Sequence, residues 1–340
     1  MNVKQIVFTQ VNTAELLDST ITDELGEYEV LVKTEYSTIS CGTEKANITG
    51  SDTVSPFAEA TPAVFPRYSG YSSAGVVVKT GSKVTKLAVG DSVAMFWSQH
   101  KTYNIMEEKR AIKFDPDKAD MQSAAMCHIG AFPLAAIRKT KFEIGESALV
   151  MGLGILGLLA VKQLKAAGAV PIVAVDPVEE RRNLALKSGA DFAFDPTEEN
   201  FAQKVKEVTN GGANVCIEVS GVGAGLNGAL DCMQKFGRVA LLGCTRSSHF
   251  EVDYYRKVHG PGITLVGAHT MARAQEESSQ SNFTTADDIK AQLKLIELGR
   301  MCYKDIVQEV HSPEDCREIY ERLANDRKFP TCVQYKWDEI

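Results

Sequence analysis

The hydrophobic pattern of about the first 115 residues is typical of short β-strands. Residues 29–34 and 75–79 alternate polar and apolar side chains with a period of two, which places successive side chains on opposite faces of a strand. Glycine turns lie at 81–82 and 90–91, and residues 93–96 resume an apolar run. Short strands separated by glycine turns at this spacing predict a small barrel or sandwich.

In the middle of the chain the pattern changes to apolar strands that alternate with helices. Residues 148–151 form an apolar run, a predicted helix extends to Ala167, and a second apolar run covers 171–175. Residues 177–187 predict a helix that ends at Gly189. Further strands are predicted at 215–219, 238–242 and 263–266. Uninterrupted apolar strands separated by helices are typical of a parallel sheet that helices cover on both faces.

The end of the chain is mixed again, with helices predicted near 285–298 and 313–323. A chain of 340 residues is too long for one simple core and suits about two domains. We therefore predict a β-rich lobe, an inserted doubly wound domain and a return to the first lobe.

Composition and charge exclude several classes of protein. The 37 Lys and Arg against 44 Asp and Glu give a net charge of -7, without a basic cluster, which disfavours nucleic-acid and anionic-membrane partners. The longest apolar run, 148–161, has 14 residues including three glycines and is too short to span a bilayer. The first five residues lack the apolar stretch of a secretory signal, and the 8 cysteines form no C-x-x-C pair. Reduced thiols fit a cytoplasmic protein, which is what we expect.

A glycine-rich motif follows the strand at 148–151 and opens the next helix. It has the G-x-G-x-x-G spacing, with the sequence Gly152-Leu153-Gly154-Ile155-Leu156-Gly157. Gly152 permits a tight turn and Gly154 lets a pyrophosphate approach the amides at the helix start. Gly157 lets helix and strand pack closely. Asp176 ends the next strand 19 residues after Gly157, which completes the dinucleotide-binding fingerprint.

Asp176 also bears on the choice between NAD and NADP. Its carboxylate would accept hydrogen bonds from the adenosine ribose hydroxyls and repel a 2'-phosphate, which predicts NAD. Arg181 and Arg182 follow closely and could attract that phosphate, so NADP stays open as the alternative.

The motif and two further segments resemble those of a known family. Residues 39–44 (Ile-Ser-Cys-Gly-Thr-Glu) and the glycine-punctuated stretch 81–93 carry the resemblance. On this basis the chain resembles the medium-chain dehydrogenase/reductase family, in its alcohol-dehydrogenase-like group, over nearly its whole length. Residues 38–44 with 70–75 are similar to a branch that includes the bacteriochlorophyllide hydroxyethyl dehydrogenases. The resemblance implies oxidation of a secondary alcohol or the reverse reaction.

The family architecture implied for this chain is α/β, a GroES-like β-barrel catalytic domain plus a Rossmann doubly wound parallel sheet. The catalytic domain would occupy 1–118, the Rossmann NAD-binding domain 119–270, and the return to the catalytic domain 271–340. The resemblance also implies that Ser220 lies near the cofactor ribose and Gly243 below the nicotinamide.

Zinc-dependent members of the family bind their metal with a Cys, a His and a third Cys or acid. By resemblance Cys41 occupies the first position and Cys127 or His128 the third. Tyr71 stands where the family has its histidine, and a phenol is a poor zinc donor near neutral pH. We expect no catalytic zinc. If zinc is present, Glu44 is the residue that could complete a set with Cys41 and Cys127 or His128.

Without zinc, a side chain must exchange the carbinol proton. Four candidates follow from the resemblance: Tyr71, Thr43, His128 and His269. Tyr71 stands at the histidine position, and Thr43 at the position of the proton-relay hydroxyl. His128 begins the segment that enters the Rossmann domain, and His269 follows the strand beside the nicotinamide. The structural alternatives are a packed ring for Tyr71, a helix cap for Thr43 and structural roles for both histidines.

These features predict an NAD(H)-dependent oxidoreductase that interconverts a secondary alcohol, sugar-like or polyol, and a ketone. The predicted partners are a small-molecule substrate and further copies of the chain, since the strand at 263–266 is expected at an exposed sheet edge. Homodimer and homotetramer both stay open. Two alternatives remain at this point, a zinc-independent enone or quinone reductase and a dinucleotide-binding protein without turnover.

Overall fold

The computed structural model describes residues 1–52, 61–247, 249–326, 328–338 and 340. Within them the chain packs as two compact units. Unit 1 comprises Met1–Ile129 and Ile289–Ile340, and unit 2 is the continuous segment Gly130–Asp288. The sequence-based domain borders after residues 118 and 270 stay a prediction.

Strands occur in both units, and helices are interleaved with the strands of unit 2. The described strands are β1 (Asn2–Gln10), β2 (Thr13–Thr20), β3 (Glu29–Thr38), β4 (Arg67–Tyr68), β5 (Ser72–Thr80), β6 (Ser92–Phe96), β7 (Tyr103–Glu107), β8 (Ala111–Lys113), β9 (Ala148–Met151), β10 (Ile172–Val175), β11 (Phe192–Phe194), β12 (Ala213–Glu218), β13 (Met233–Leu241), β14 (Thr264–Gly267), β15 (Glu309–His311) and β16 (Val333–Lys336). The described α-helices are α1 (Cys41–Ile48), α2 (Met121–Ala124), α3 (Cys127–Lys139), α4 (Ile155–Ala167), α5 (Glu179–Lys187), α6 (Phe201–Val208), α7 (Gly223–Asp231), α8 (Thr285–Glu297) and α9 (Cys316–Asn325). The chain passes from one unit to the other inside α3 and inside α8.

The larger sheet of unit 1 has the strand order β15-β16-β3-β5-β6-β8, and β7 also pairs with β3. Strands β3, β5 and β6 are antiparallel to their neighbours and bury one face around Val30, Val32 and Val77. Strand β16 pairs with β3 so that Gln334 lies opposite Thr38. The alternating pattern of the sequence correctly predicted β3 and β5, and the apolar run at 93–96 correctly predicted β6, which is buried along its whole length.

Unit 2 contains a parallel sheet with the order β11-β10-β9-β12-β13-β14. Its central strand β9 is buried along its whole length, as the continuous apolar run predicts. The predicted parallel sheet with interleaved helices is therefore confirmed. The carboxyl ends of β9, β10 and β12 come together at one edge of this sheet, where α/β proteins bind ligands.

Strand β14 stands at the end of this order, so its predicted position at a sheet edge is confirmed. Thr264 is exposed, and 41% of Leu265 is accessible. In the described part of the chain, no helix combines the length and the apolar character needed to cross a membrane.

Candidate functional site

The glycine-rich motif forms a close-packed turn between β9 and α4. Gly152 has a φ of +99°, and a Cβ there would lie 2.9 Å from the backbone nitrogen of Ser220. A Cβ on Gly157 would lie 2.0 Å from the carbonyl oxygen of Gly152, so the helix approaches the strand as closely as predicted. A Cβ on Gly154 would meet no described atom within 4 Å. Gly154 is thus the glycine of the three that faces open space.

A cavity of about 490 Å³ lies beside this turn. Its lining includes Gly152, Gly154, Asp176, Arg181, Thr197 and Ser220. Helix α4 begins here with Gly154 at its N-cap, a residue that has no side chain to cap the first turn. The amide groups at a helix start attract an anionic pyrophosphate, so this cavity fits a dinucleotide. Ile155 and Leu156, which were predicted with the glycines, form the first residues of α4.

Asp176 lies at the cavity although only 4% of it is exposed. Its Oδ2 accepts the amide hydrogen of Leu153 at 2.8 Å, and its Oδ1 accepts that of Val178 at 2.9 Å. Each carboxylate oxygen has a second acceptor site. The carboxylate is therefore fixed in orientation and can still accept a ribose hydroxyl.

The two arginines that follow Asp176 have different surroundings. Arg181 lines the cavity, with its Nη1 3.7 Å from Asp176 Oδ2. Arg182 donates instead to the carbonyl oxygen of Asp176 at 2.7 Å and to Asp195 at 3.1 Å. Of the two, Arg181 is the one placed to compete with Asp176 for the choice of cofactor.

Ser220 is held by a carboxylate that the sequence analysis did not select. Glu218, at the end of β12, accepts both the amide hydrogen of Ser220 at 2.9 Å and its hydroxyl hydrogen. Burial raises the pKa of Glu218 above its usual range, although hydrogen bonds from Ser220 and Gly221 act in the other direction. A Cβ on Gly243 would lie 2.5 Å from the amide nitrogen of Gly221, so the predicted Ser220 and Gly243 loops are neighbours. Its position as an acid at the end of a strand is a sequence feature from which Glu218 could have been selected.

Unit 1 brings Tyr71 and His128 together. The Nδ1 atom of His128 lies 2.7 Å from the carbonyl oxygen of Tyr71, and the two rings meet edge to face with centroids 5.4 Å apart. Since a carbonyl oxygen accepts only, the shorter contact of Nδ1 is one in which it donates to Tyr71. The indole of Trp97 packs against the same histidine ring, and the two ring centroids lie 4.7 Å apart. His128 itself is fully buried.

The Tyr71 hydroxyl donates to the hydroxyl oxygen of Ser40, a residue that the sequence analysis did not select as catalytic. Ser40 immediately precedes α1, and Thr43 lies inside that helix rather than capping it. His269 belongs to unit 2, where its Nδ1 accepts the amide hydrogen of Met271 at 3.2 Å. Burial lowers the pKa of His269.

The residues of the alternative zinc set are bound elsewhere. The thiol of Cys41 is directed at the carbonyl oxygen of Thr331, 3.6 Å away. The thiol of Cys127 donates to the Ser123 carbonyl at 3.5 Å, and burial raises its pKa.

Glu44 is 2% exposed and is bound by His100, Tyr320 and the amide of Ser40. Burial acts to raise the pKa of Glu44, but attraction to His100 and these hydrogen bonds outweigh it, so that the pKa lies below its usual range. Sequence analysis named Glu44 as the residue that could complete a zinc set. In the structure its partners are a histidine, a tyrosine and a backbone amide.

In the part of the chain that the structure describes, no three His, Cys, Asp or Glu side chains are grouped as metal ligands. A catalytic zinc needs three protein ligands and an open position. The donors present do not fit that requirement.

Two family models match the chain. The model described as "Alcohol dehydrogenase GroES-like domain" matches residues 26–154, and the one described as "Zinc-binding dehydrogenase" matches 156–285. An L-threonine 3-dehydrogenase of Thermococcus kodakarensis is 30% identical over 250 residues, which is 64% of this chain and 69% of that enzyme. The chain belongs to the alcohol-dehydrogenase-like family of medium-chain dehydrogenases. This membership confirms the predicted GroES-like and Rossmann domains.

Other similarities are shorter or show the fold alone. A D-guloside 3-dehydrogenase of Escherichia coli is 28% identical to this chain over 195 residues, which are 56% of this chain and 55% of that enzyme. The chain thus spans about half the length of that relative. The crystal structure of galactitol-1-phosphate dehydrogenase from Escherichia coli has a TM-score of 0.83 at 19% identity and covers 98% of this chain and 99% of that chain. The resemblance to the bacteriochlorophyllide branch stays a prediction.

Proposed function

We propose that this alcohol-dehydrogenase-like protein is an NAD(H)-dependent oxidoreductase that interconverts a secondary alcohol and a ketone without a catalytic metal. The observation that carries the proposal is Tyr71, which by resemblance stands at the family's metal-ligand position. Its phenol is bound to Ser40, and its backbone carbonyl oxygen is bound by Nδ1 of His128. The substrate class is a polyol or a sugar-like alcohol, as the partial similarity to D-guloside 3-dehydrogenase suggests.

The cofactor would bind in the cavity of unit 2. Gly152 and Gly154 give its pyrophosphate access to the start of α4, and Gly157 keeps that helix close to β9. Asp176 would accept the adenosine ribose hydroxyls, which favours NAD over NADP. When bound, the nicotinamide ring accepts or donates the hydride. Ser220 and Gly243 belong to the neighbouring loops that would contact the ribose and the ring.

Proton exchange is assigned to unit 1. In the oxidation, the carbinol carbon loses a hydride and its oxygen loses a proton, so that alcohol and NAD⁺ give ketone, NADH and H⁺. In the oxidation Tyr71 takes up this proton as a phenolate and becomes a phenol, and in the reduction the phenol donates it; the Ser40 hydroxyl is a hydrogen-bond partner of the same oxygen. His128 holds the backbone of Tyr71 through Nδ1, and the two rings meet edge to face. Thr43 and His269 stay candidates for assisting the transfer.

Metal content and turnover test this proposal together. We expect chelator-washed protein to contain much less than one zinc per chain and still to reduce NAD⁺ with a member of a panel of secondary alcohols, namely galactitol 1-phosphate, (2R,3R)-butanediol and L-threonine. Tyr71→Phe should lower kcat about 100-fold, the lower end for loss of a general acid or base, with NADH binding unchanged. Tyr68→Phe is the matched control, because Tyr68 is 61% exposed on β4. Stoichiometric zinc, or an unchanged kcat in Tyr71→Phe, would contradict the mechanism.

We also propose that copies of the chain associate along the exposed edge of β14.

A further inference from the structure

Ser40 occupies the N-cap position of α1 but does not perform the usual task of a serine there. A serine N-cap normally accepts an amide hydrogen from the first turn of its helix. Within the described chain, the Ser40 side chain makes no such bond to α1. Its hydroxyl oxygen accepts the hydrogen of the Tyr71 hydroxyl instead. The phenol is therefore held by a residue whose side chain would ordinarily stabilise the helix start.

Glu44 fixes the backbone of Ser40 in its place. The Glu44 carboxylate accepts the amide hydrogen of Ser40 at 2.8 Å, and the Glu44 amide donates to the Ser40 carbonyl at 2.8 Å. The same residue thus bonds both sides of Ser40. This reciprocal contact resembles half of a capping box, in which an acid one turn into the helix reaches back to the N-cap amide.

The carboxylate itself is held by side chains from distant parts of unit 1. The Tyr320 hydroxyl in α9 donates to Oε2 of Glu44, and Nε2 of His100 lies 3.1 Å from the same oxygen. The Ser37 hydroxyl lies 2.7 Å from Nδ1 of His100 and accepts the indole hydrogen of Trp337 at 2.7 Å. Both His100 and Tyr320 are 0% exposed. Each donor is therefore locked by the core around it.

A buried carboxylate is unfavourable unless donors surround it, and a serine cap could hold a helix start without any buried charge. The cluster of Glu44, His100 and Tyr320 therefore supplies something that a plain cap does not. What it adds is a Ser40 whose backbone is fixed while its hydroxyl is directed to Tyr71.

We propose that Glu44 is a positioning residue for proton transfer, which holds Ser40 so that its hydroxyl serves the Tyr71 phenol instead of capping α1. This inference rests on the proposed role of Tyr71 and adds a residue that touches neither substrate nor cofactor. Glu44→Gln should lower kcat about tenfold or more and leave the KM for NAD⁺ within about twofold, since the cofactor residues belong to unit 2. In a Tyr71→Phe background the same substitution should change kcat less than about twofold, because coupled residues are not additive.

A spectroscopic experiment tests the inference without any substrate. The full chain is labelled with ¹³C at the Cζ atom of its 10 tyrosines, and the Tyr71 signal is identified by its loss in Tyr71→Phe. We expect Glu44→Gln and Ser40→Ala to move this signal to the same new position at neutral pH, and Ser40→Thr, which keeps a hydroxyl, to restore the parent position. Glu309→Gln is the matched control, because Glu309 also binds a histidine, His311, at 2.7 Å in unit 1. It should leave the signal in place.

The outcomes separate the inference from the proposed function. A Tyr71 signal that stays at the parent position in folded Glu44→Gln, or in Ser40→Ala, overturns the inference. If Glu44→Gln does not fold, Tyr320→Phe removes one donor from the carboxylate and must move the signal in the same direction, or the inference fails. Absence of turnover on the alcohol panel in the parent overturns the proposed function alone, since the spectroscopic result still decides whether Glu44 positions Tyr71.

Discussion

Each carboxylate oxygen of Asp176 accepts a hydrogen bond from a backbone amide, one from Leu153 and the other from Val178. These bonds keep a negative charge at the wall of the cavity, where the side chain is nearly buried and poorly screened by water. Arg181 lies 3.7 Å from this charge and opposes its effect on a phosphate. At the scale of single residues, the proposed preference for NAD therefore depends on one acid and one base.

Replacing Asp176 should change this preference. In Asp176→Ser the repulsion of a 2'-phosphate disappears while Arg181 remains, and like-charge repulsion is worth about 2 kcal/mol, or roughly 30-fold in relative kcat/KM for NADP⁺ over NAD⁺. The ratio is measured by steady-state kinetics, or by NADPH and NADH fluorescence titration. Asp195→Ser is the control, because Asp195 binds Arg182. A parent that already prefers NADP⁺, or a ratio unchanged in Asp176→Ser, would contradict the assignment.

Individual elements were predicted where their own residues determine them. The run at 148–151 coincides with β9 because a strand buried on both faces must be apolar throughout. Strands β1 and β2 were not predicted, since they are stabilised by pairing with each other and neither alternates cleanly. A helix near Glu44 was expected only under the alternative in which Thr43 caps it, and α1 instead begins at Cys41. Gly42 and Thr43 are poor helix formers, so propensity does not place this start. The structure supplies what propensity lacks, an acid that reaches back to Ser40.

In the candidate site, too, some residues could be selected from the sequence and others depend on distant contacts. Tyr71 and His128 could be selected because they stand at positions that a family pattern marks. Their partners could not, since Tyr320 meets Glu44 across 276 residues of sequence and nothing local in either segment indicates the contact.

Helix α4 offers a matched pair of substitutions at two glycines of one turn. Gly157→Ala would place a Cβ 2.0 Å from the Gly152 carbonyl oxygen, so we expect the free energy of unfolding to fall by about 3 kcal/mol. In Gly154→Ala the added Cβ would meet no described atom within 4 Å, and the φ of Gly154 is -67°, a value that alanine adopts readily. We expect it to fold normally and to weaken NADH binding about tenfold, or 1.4 kcal/mol.

Chemical denaturation and NADH fluorescence titration measure the two quantities. Parent-like NADH affinity in Gly154→Ala would show that the pyrophosphate does not approach this glycine.

At the scale of the whole molecule, strand β14 is the end strand of the parallel sheet in the described part of the chain, which is where a second chain can pair with a sheet. Leu265→Lys places a charge on this edge, which opposes strand pairing between copies. Light scattering after size exclusion should show a multiple of the chain mass for the parent and a shift toward the single chain for the variant. Leu298→Lys is the control, because Leu298 is 61% exposed directly after α8. A monomeric parent would contradict the association.

Strand β16 lies between β15 and β3, and Gln334 is hydrogen-bonded to Thr38 across 296 residues. Unit 2, by contrast, is one unbroken segment. During synthesis on the ribosome, the parallel sheet can therefore form while the larger sheet of unit 1 still lacks an inner strand. Ser37 receives its bond from Trp337 at this same late stage. We therefore expect a nascent chain to be able to hold a dinucleotide before the surroundings of Tyr71 are complete, so that cofactor capture would precede chemical competence.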